Sequence, residues 1–193
     1  NGELKGGEVL CRWISGLHGV VSPAVFIPIA EEQKLDSAIG LQALEAACDY
    51  ISIMESHQGE AIPLSVNISA NQMLDPAFPD QAVSVCMDNN VSPGFIELEL
   101  TESVFIRDEK SALRALSKLR DSGFRLSLDD FGSGFSSLSY LRSFQFEVVK
   151  VDKSLVQGIH QDSKANALFN GLIAMLKGLQ IDVVAEGVEL ESY

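Results

Sequence analysis

The chain has 193 residues, of which 46% are hydrophobic, and it carries 14 Lys and Arg against 27 Asp and Glu, for a formal net charge of -13. A chain of this length and composition can bury a substantial core and is most simply one domain. Its charge excludes a general attraction to DNA, RNA or an anionic membrane surface, so an anionic ligand needs local positive charge, most simply from bound cations.

Strand-like and helix-like segments alternate along the chain. Short apolar runs predict strands, and apolar residues spaced three and four apart predict helices, the first long one with Asp36 as its cap. In chain order we predict a strand over 7–13, a loop with Pro23 and Pro28, a helix over 36–57, a strand over 62–68, a helix over 76–89, a strand over 95–101, a helix over 108–122, a strand over 124–129, a Gly/Ser loop with a short helix, a strand over 147–151, a helix over 163–179 and a strand over 182–185. This regular alternation favours an α/β fold built from parallel β/α units.

Each of the six predicted strands ends in a carboxylate, an amide or a lysine. The polar residues at these ends are Glu8, Asn67, Glu99, Asp129 with Asp130, Lys150 with Asp152, and Glu186. Strands of a parallel sheet are buried on both faces and should end apolar, so repeated exceptions indicate one shared site. In a (β/α) barrel the carboxyl ends of the strands meet at a single rim, where such enzymes keep their chemistry.

Alternation within the strands places these polar residues on one face. Residues two apart share a face, so Asn67 lies with Ser65, Glu99 with Glu97, and Glu8 with the two residues that follow it at this spacing, Leu10 and Arg12. The apolar alternates that should pack against helices include Leu64, Val66, Ile68, Leu98, Leu100, Leu126 and Leu128. The polar face of a barrel is then its lumen. Six strands are two fewer than the usual barrel of eight, so two are unrecognised or absent from this excerpt.

A gathering of carboxylates in one partly buried site is stable only if the groups are protonated or if a cation neutralises them. Oxygen ligands from Asp, Glu and Asn suit hard ions such as magnesium or manganese. Asp129 and Asp130, taken alone, could instead form a turn or a helix cap. The matching polar ends of the other strands favour the metal interpretation.

Lys150 ends an otherwise apolar strand and admits two interpretations. It neutralises neighbouring carboxylates, or it orients a nucleophilic water and stabilises developing phosphate charge.

A segment rich in Gly and Ser covers residues 131–137 and lacks the G-K-[ST] ending of a P-loop. We therefore expect a mobile loop over the site at this segment and no P-loop nucleotide site.

The cysteines and the hydropathy of the chain indicate the cellular compartment of the protein. Cys11, Cys48 and Cys86 are far apart and form no C-x-x-C pair, which argues against a disulfide framework and a structural zinc site. No stretch approaches the ~20 apolar residues of a membrane span, and no signal peptide opens the chain. We expect a cytoplasmic location without direct membrane contact from this segment, although a longer parent protein could carry an anchor.

Seven motifs occur in the order found in EAL domains. They are GEVLCRW (7–13), FIPIAE (26–31), VNIS (66–69), ELTES (99–103), DDFGSG (129–134), KVD (150–152) and AEGVE (185–189). Over essentially all of residues 1–193, the chain therefore resembles the EAL-domain cyclic di-GMP phosphodiesterase family. The resemblance implies a modified TIM (β/α)8 barrel with one antiparallel strand, incomplete here because the first strand and the C-terminal β/α unit are missing.

The implied activity is hydrolysis of cyclic di-GMP to linear pGpG in bacterial second-messenger signalling, with two divalent ions, Mg2+ or Mn2+. By the resemblance, the residues that hold the first ion are Glu8, Asn67, Glu99 and Asp129. Those that serve the second ion or its water are Asp129, Asp130 and Glu186. Lys150 would position that water, and Glu186 is the other candidate for activating it. The implied catalytic residues are thus Glu8, Lys150 and Glu186.

The resemblance also implies residues that contact substrate and that position loops. The substrate-binding residues would be Leu10, through its backbone, Arg12 and Asp152. The loop-positioning residues would be Glu102, Phe131, Gly132, Gly134 and Glu189. Glu102 would hold the loop over 131–141, which in such domains links metal, substrate and dimerisation. Besides cyclic di-GMP, the implied partners are a second copy of the chain and regulatory domains in the parent protein.

Two alternatives to catalysis remain open at this point. A receptor could bind cyclic di-GMP without cutting it, but such domains usually lack metal ligands, and every ligand position that this chain contains is retained. A scaffold that only mediates protein contacts would leave the carboxylate cluster unexplained. Val9 stands where the family signature has alanine, and its side chain should point away from the face of Glu8 and Leu10, so we expect the change to be tolerated.

Overall fold

Six parallel strands form the main sheet of this protein. A computed structural model describes residues 4–58, 61–133, 139–144 and 146–188. The strands in these residues are β1 (Gly7–Val9), β2 (Trp13–Ser15), β3 (Gly19–Val21), β4 (Leu64–Asn67), β5 (Ile96–Thr101), β6 (Arg125–Phe131), β7 (Val148–Val151) and β8 (Asp182–Ala185). The main sheet has the order β1-β4-β5-β6-β7-β8 with every neighbouring pair parallel, and β2 pairs with β3 in a separate antiparallel hairpin. Because its strands follow chain order, the sheet has the connectivity of a (β/α) barrel.

Helices connect successive strands of the sheet. They are α1 (Pro23–Glu32), α2 (Asp36–Gln58), α3 (Ala70–Leu74), α4 (Phe78–Asp88), α5 (Ser103–Asp121), α6 (Ser139–Ser143), α7 (Lys153–Val156) and α8 (Ser163–Gly178), with a 3-10 turn over Pro93–Phe95. Polar caps set where several of them begin, because the first N–H groups of a helix have no intrahelical partner. For α8, the Asp162 carboxylate accepts the Lys164 N–H at 2.8 Å. In the described part of the chain, no helix is both long and apolar enough to cross a membrane.

The apolar alternates of the strands form the core, as predicted. The buried ones are Leu64, Val66, Ile68, Leu98, Leu100, Leu126 and Leu128. They belong to one cluster with buried helix residues such as Leu44 of α2 and Leu116 of α5. Burying one such side chain stabilises the fold by about 1.5–3 kcal/mol. The other face of the same strands carries Glu97, Glu99 and Ser127, which are also buried, so the central strands are covered on both sides.

The first predicted strand is wrong in its length. We expected it over 7–13, but β1 ends at Val9, and Trp13–Ser15 pairs instead with Gly19–Val21. Gly19 has a φ of 66°, which glycine adopts without steric cost and which tight hairpin turns require. The face predicted for Glu8, Leu10 and Arg12 therefore exists only at Glu8.

The predicted loop with Pro23 and Pro28 is also wrong, because this segment is helix α1. Pro23 lies in the first turn, where its missing N–H would have no partner, and Pro28 costs one hydrogen bond inside the helix. Phe26 and Ala30, four residues apart, are both buried. Packing of this face outweighs the lost hydrogen bond. The two prolines therefore do not interrupt the helix, although they suggested a loop in the sequence.

Helix α5 begins at Ser103, five residues before the predicted start at 108. The helix is kinked at Asp108, whose φ of -158° and ψ of 88° are not helical. The Asp108 carboxylate accepts the Ser111 N–H at 3.0 Å and so caps the second half. The prediction found this second half, and the short first half after β5 was missed.

Candidate functional site

Three carboxylates converge at the carboxyl ends of β6 and β8. One oxygen from each of Asp129, Asp130 and Glu186 lies within 4.8 Å of the others, and we refer to these three residues as the acidic cluster. Asp129 and Asp130 belong to β6, Glu186 follows β8, and β7 with Lys150 lies between them in the sheet. The structure thus brings together Asp130 and Glu186, which are 56 positions apart in the chain.

A β-bulge allows two consecutive aspartates to join this cluster. Neighbouring residues of a regular strand point to opposite faces. The register between β6 and β7 shifts between Leu128 and Phe131, and Asp130 has a φ of 53°, in the left-handed region that Asp tolerates better than most residues. Such bulges re-aim side chains next to active sites. Asp129 and Asp130 therefore both contribute an oxygen to one site.

Lys150, on the strand between β6 and β8, forms an ion pair with the buried Glu99. Its Nζ lies 2.5 Å from Oε1 of Glu99 and 4.0 Å from Oδ1 of Asp129. Burial of the Glu99 side chain raises its pKa to about 7, although the nearby ammonium opposes this. For Lys150, burial works against the charged form, but the two carboxylates outweigh it and raise the pKa. The Glu99 Oε2 atom has no hydrogen-bond partner among the described residues, so one buried oxygen is left uncompensated.

Glu8 and Asn67 meet at the carboxyl ends of the adjacent strands β1 and β4. The Asn67 Nδ2 donates to Glu8 Oε1 at 2.7 Å. This bond orients the amide so that its nitrogen faces the carboxylate and its oxygen is directed elsewhere. In register, Asn67 lies opposite Glu99 on β5, which places the pair beside the Glu99 and Lys150 contact.

Shielding from water, followed by repulsion between carboxylates, raises the pKa of two members of the acidic cluster. Partial shielding from water, followed by the charges of Asp129 and Asp152, raises the pKa of Asp130. Shielding and the charge of Asp129 likewise raise the pKa of Glu186, although Lys150 opposes this. A single lysine does not balance these carboxylates, so the arrangement favours a proton or a bound cation.

The donor atoms of this rim fit a hard divalent cation. Carboxylate and amide oxygens are the ligands that Mg2+ and Mn2+ take in proteins. The unpartnered Glu99 Oε2 and the raised pKa values of Asp130 and Glu186 are the features that positive charge would relieve. Glu8, Asn67, Glu99 and the acidic cluster thus form a site whose chemistry suits the predicted ions.

The three predicted substrate-binding residues follow strands β1 and β7 of the main sheet. Leu10 and Arg12 follow β1, where Leu10 is 51% exposed and Arg12 donates from Nη1 to the Cys11 carbonyl at 3.0 Å. Asp152 directly follows β7 and caps α7 by accepting the Ser154 N–H at 2.9 Å. Hydrogen bonds from the Ser154 hydroxyl and then from its N–H lower the pKa of Asp152, which favours its ionised carboxylate.

The predicted loop-positioning residues that the structure describes are in contact with the core. Glu102 is buried and accepts a hydrogen bond from the Tyr140 hydroxyl, which ties the end of β5 to α6. Phe131 is buried, and its carbonyl accepts the Asp152 N–H at 3.1 Å. Gly132 follows with a φ of 89°. Gly134 and Glu189 lie outside the described residues.

Sequence analysis missed a group of polar residues beside Asn67. A cavity of about 500 Å3 includes Arg12 and Asn67 in its wall together with Asp36 and Gln72. We predicted Asp36 as a helix cap, but its Oδ2 instead accepts from the Ser69 hydroxyl at 2.5 Å and from Asn71 at 3.0 Å. No spacing in the sequence brings Asp36 next to residues 69–72, since the contact arises where α2 packs against α3.

Comparison with known proteins relates this chain to one family. The family model described as "EAL domain" matches residues 1–192. The chain is 41% identical over 191 residues to the "Uncharacterized signaling protein" of Caulobacter vibrioides, covering 99% of this chain and 23% of that protein. It is 33% identical over 192 residues to the "Bifunctional diguanylate cyclase/cyclic di-GMP phosphodiesterase MucR" of Pseudomonas aeruginosa, covering 100% of this chain and 28% of that protein. The chain therefore spans about a quarter of the length of these relatives.

A solved structure supports the same relationship. The structure titled "PaMucR Phosphodiesterase, c-di-GMP complex" matches with a TM-score of 0.90 at 33% identity, covering 100% of this chain and 78% of that one. The predicted α/β fold, with its likeness to a TIM barrel, is confirmed by this match together with the sequential parallel sheet.

Proposed function

Since the chain belongs to the EAL domain family, we propose that it is a metal-dependent phosphodiesterase that hydrolyses cyclic di-GMP to linear pGpG in bacterial second-messenger signalling. The observation that carries the proposal is the acidic cluster, in which oxygens of Asp129, Asp130 and Glu186 lie within 4.8 Å of one another beside the buried Glu99 and Lys150 pair. The relative MucR carries cyclic di-GMP phosphodiesterase in its name, which supports the choice of substrate.

The residues that we propose for two divalent ions, Mg2+ or Mn2+, are those that the family resemblance implies. The first ion would be held by Glu8, Asn67, Glu99 and Asp129. The second would be served by Asp129, Asp130 and Glu186. Divalent ions in such a site polarise a phosphodiester and make a water molecule a better nucleophile. They also supply the positive charge that a chain of net charge -13 needs to bind an anion.

The protein's own side chains would orient the water and hold charge. Lys150 is fixed between Glu99 and Asp129, so its ammonium can position the water and stabilise the phosphate charge that develops during attack. Glu186, whose pKa is raised by shielding and by Asp129, is suited to accept the proton of that water. Attack of the water oxygen on phosphorus would break the P–O3′ bond of one of the two phosphodiesters, and the departing 3′ oxygen would take up a proton to become a hydroxyl, which gives the linear product with its 5′ phosphate.

We further propose that residues beyond the rim contact the rest of the substrate. Arg12 would pair with a phosphate oxygen, the Leu10 backbone would contact the sugar-phosphate ring, and Asp152 would lie beside it at the end of β7. A cytoplasmic location, homodimerisation and regulatory domains in the parent protein are part of the same proposal. They rest on the family relationship and on relatives that are about four times longer than this chain.

Chromatography of cyclic di-GMP incubated with the chain and Mn2+ tests the proposal directly. We expect linear pGpG from the wild type and none from Glu8→Ala, because that change removes one proposed ligand at an exposed position. Glu45→Ala, which removes an exposed carboxylate from α2, serves as the matched control and should keep wild-type turnover. Equal turnover in both variants would contradict the metal assignment.

The same experiment distinguishes a phosphodiesterase from a receptor that binds cyclic di-GMP without cutting it. Tight binding of cyclic di-GMP without product, in the wild type and in a longer form of the protein extended at both ends, would support the receptor alternative. Neither binding nor product from either form would contradict both functions. Product from the extended form alone would mean that residues outside these 193 complete the active site.

A further inference from the structure

The hairpin of β2 and β3 carries exposed apolar side chains on its outer face. In the register of the two strands, Ile14 lies opposite Val20, so these side chains share one face, and they are 76% and 73% exposed. Leu17, in the turn between the strands, is 91% exposed. The opposite face contacts α1, where Trp13 meets Phe26 edge-to-face with ring centroids 6.0 Å apart. A two-stranded hairpin is at most marginally stable by itself, so this one gains from a surface that covers its outer face.

An apolar groove lies beside the inner face of the hairpin. Its volume is about 560 Å3, and its wall includes Trp13, Ile29 of α1, Leu35 and Ala46 of α2. Ile29 and Leu35 are both just over half exposed, so the groove is open to solvent. Among the described residues of the wall, only Arg12 is charged. The same molecule thus presents a protruding apolar tip and, next to it, an apolar recess.

The charge of the chain favours this region for a contact between two copies. Two copies of net charge -13 repel each other, so a contact between them is most stable where carboxylates are absent. Residues 9–30, which contain the hairpin and most of α1, form the longest stretch of the sequence without Asp or Glu. A basic partner would find no carboxylate in this stretch, and an anionic membrane surface would find a single cation, Arg12.

The exposed apolar area matches what a stable dimer requires. An interface of standard size uses about 800 Å2 of each partner, of which somewhat more than half is non-polar. The exposed apolar side chains of the hairpin and groove together present on the order of 500 Å2 of apolar surface. They are Trp13, Ile14, Leu17, Val20, Ile29 and Leu35. One copy therefore supplies the apolar area that a standard interface needs on each side.

We propose that two copies of the chain associate by seating the hairpin tip of each copy in the apolar groove of the other. Leu17 of one copy meets Ile29 and Leu35 of the second copy. The contact is reciprocal, so a two-fold axis relates the copies and the assembly closes at a dimer. This inference names a surface for the homodimerisation included in the proposed function and rests on that part of it. It does not depend on whether the chain cuts cyclic di-GMP.

Sedimentation velocity of the full chain, from about 1 µM to about 100 µM, tests the proposal. We expect the wild type to change from monomer to dimer with concentration. Leu17→Asp puts a carboxylate on the tip and Ile29→Asp puts one in the groove, so each should raise the dimer Kd at least tenfold. Leu168→Asp, the same kind of change at a 72% exposed position of α8, is the matched control and should dimerise like the wild type.

A mixture of the tip variant and the groove variant separates lost contact from lost folding. In the mixture, the intact tip of the Ile29→Asp copy meets the intact groove of the Leu17→Asp copy, which restores half of the reciprocal contact. We expect the mixture to associate more tightly than either variant alone. Thermal melts check that each variant is folded. Ile14→Asp on the hairpin and Ala46→Asp in the groove replace a variant that is not.

Several results would overturn the proposal. A wild type that stays monomeric at the highest concentration has no such contact, and open-ended oligomers would exclude the reciprocal arrangement. Equal association of Leu17→Asp and Leu168→Asp would place the dimer contact on another face. A mixture no tighter than the single variants would show that tip and groove do not meet.

Two further results would assign the surface to a different occupant and so overturn the proposal. The first is binding of the monomeric wild type to phosphatidylcholine vesicles that Leu17→Asp abolishes. The second is a longer form of the protein, extended at both ends, that stays monomeric while the 193-residue chain dimerises. Because sedimentation needs no substrate, a dimer that yields no pGpG would contradict only the proposed catalysis.

Discussion

At the scale of single residues, Glu99 shows how burial and charge are balanced in the site. Its side chain is fully buried, and its Oε1 meets the Lys150 ammonium at 2.5 Å. Loss of hydration nevertheless dominates and raises its pKa to about 7. Removing one partner of a buried ion pair leaves an uncompensated charge. The stability of each residue in this pair therefore depends on the other and on a positive charge or a proton near the Glu99 Oε2.

The raised pKa of Glu99 predicts how stability depends on pH without metal. A carboxyl group whose pKa is higher in the folded state favours folding at low pH. Its contribution is fully present below the ordinary value of 4.5 and is lost as pH rises through about 7. In EDTA, we expect the free energy of unfolding to fall by on the order of 3 kcal/mol between these limits. Urea denaturation at a series of pH values measures this.

Two comparisons check that the dependence comes from this site. Glu99→Gln should flatten the pH profile, because the titrating group is gone, and saturating Mn2+ should flatten the profile of the wild type. The raised pKa values of Asp130 and Glu186 act in the same direction. A metal-free wild type whose stability rises over this pH range would contradict the prediction.

At the scale of elements, the bulge in β6 is what assembles the acidic cluster. Residues 129 and 130 would point to opposite faces of a regular strand, so the alternation of side chains by itself would place only one of them in the lumen. The register shift and the left-handed Asp130 are consequences of how β6 pairs with β7. Gly132, two residues on, completes the departure from the strand.

Gly132→Ala should disturb this element. Residue 132 has a φ of 89°, and a Cβ there would overlap the Leu155 side chain of α7. We expect a loss of about 1–3 kcal/mol in the free energy of unfolding, from backbone strain, with weakened Mn2+ binding as Asp130 shifts. Denaturant titration and Mn2+ titration measure the two effects.

Gly171→Ala is the matched control for this substitution. Gly171 lies within α8, and a Cβ there would meet no atom within 4 Å. This change should stabilise the protein by up to about 1 kcal/mol, because alanine favours the helix. If the two alanine variants were equally stable, the strain assigned to residue 132 would be absent.

At the scale of the whole molecule, the site spans the sheet from one edge to the other. Glu8 belongs to β1 and Glu186 follows β8, and these strands are the two edges of the six-stranded sheet. Residues of β4, β5, β6 and β7 lie between them. Cations held at this rim would therefore tie together strands that do not pair with each other, which links metal binding to the stability of the sheet.

Mn2+ should accordingly raise the thermal midpoint. A ligand that binds only the folded state adds about 2.7 kcal/mol at one hundred times its Kd. Glu186→Gln should reduce the shift, whereas Glu45→Gln, on the exposed surface of α2, should retain it. Equal shifts in these two variants would place the ion away from the acidic cluster. Thermal melts with and without EDTA give the measurement.

The sequence by itself determined the alternating order of strands and helices, the apolar face of each strand and the polar ends. Period-two patterns identify both faces of a strand, and the burial of Leu98, Leu100, Leu126 and Leu128 confirms that reading. The family, too, is carried by local motifs whose residues are close in sequence. These features depend on residues that are close together in the sequence, so the sequence alone predicts them.

Only the tertiary structure decided which polar residues meet and how they are aimed. The hairpin after β1 and helix α1 depend on packing that overrides prolines and strand length. The bulge at Asp129 and Asp130 depends on the pairing of β6 with β7. The contact of Asp36 with Ser69, 33 residues away, depends on where α2 and α3 pack. Long-range contacts of this kind leave no periodic signal in the sequence, because each partner's position is set by the whole fold.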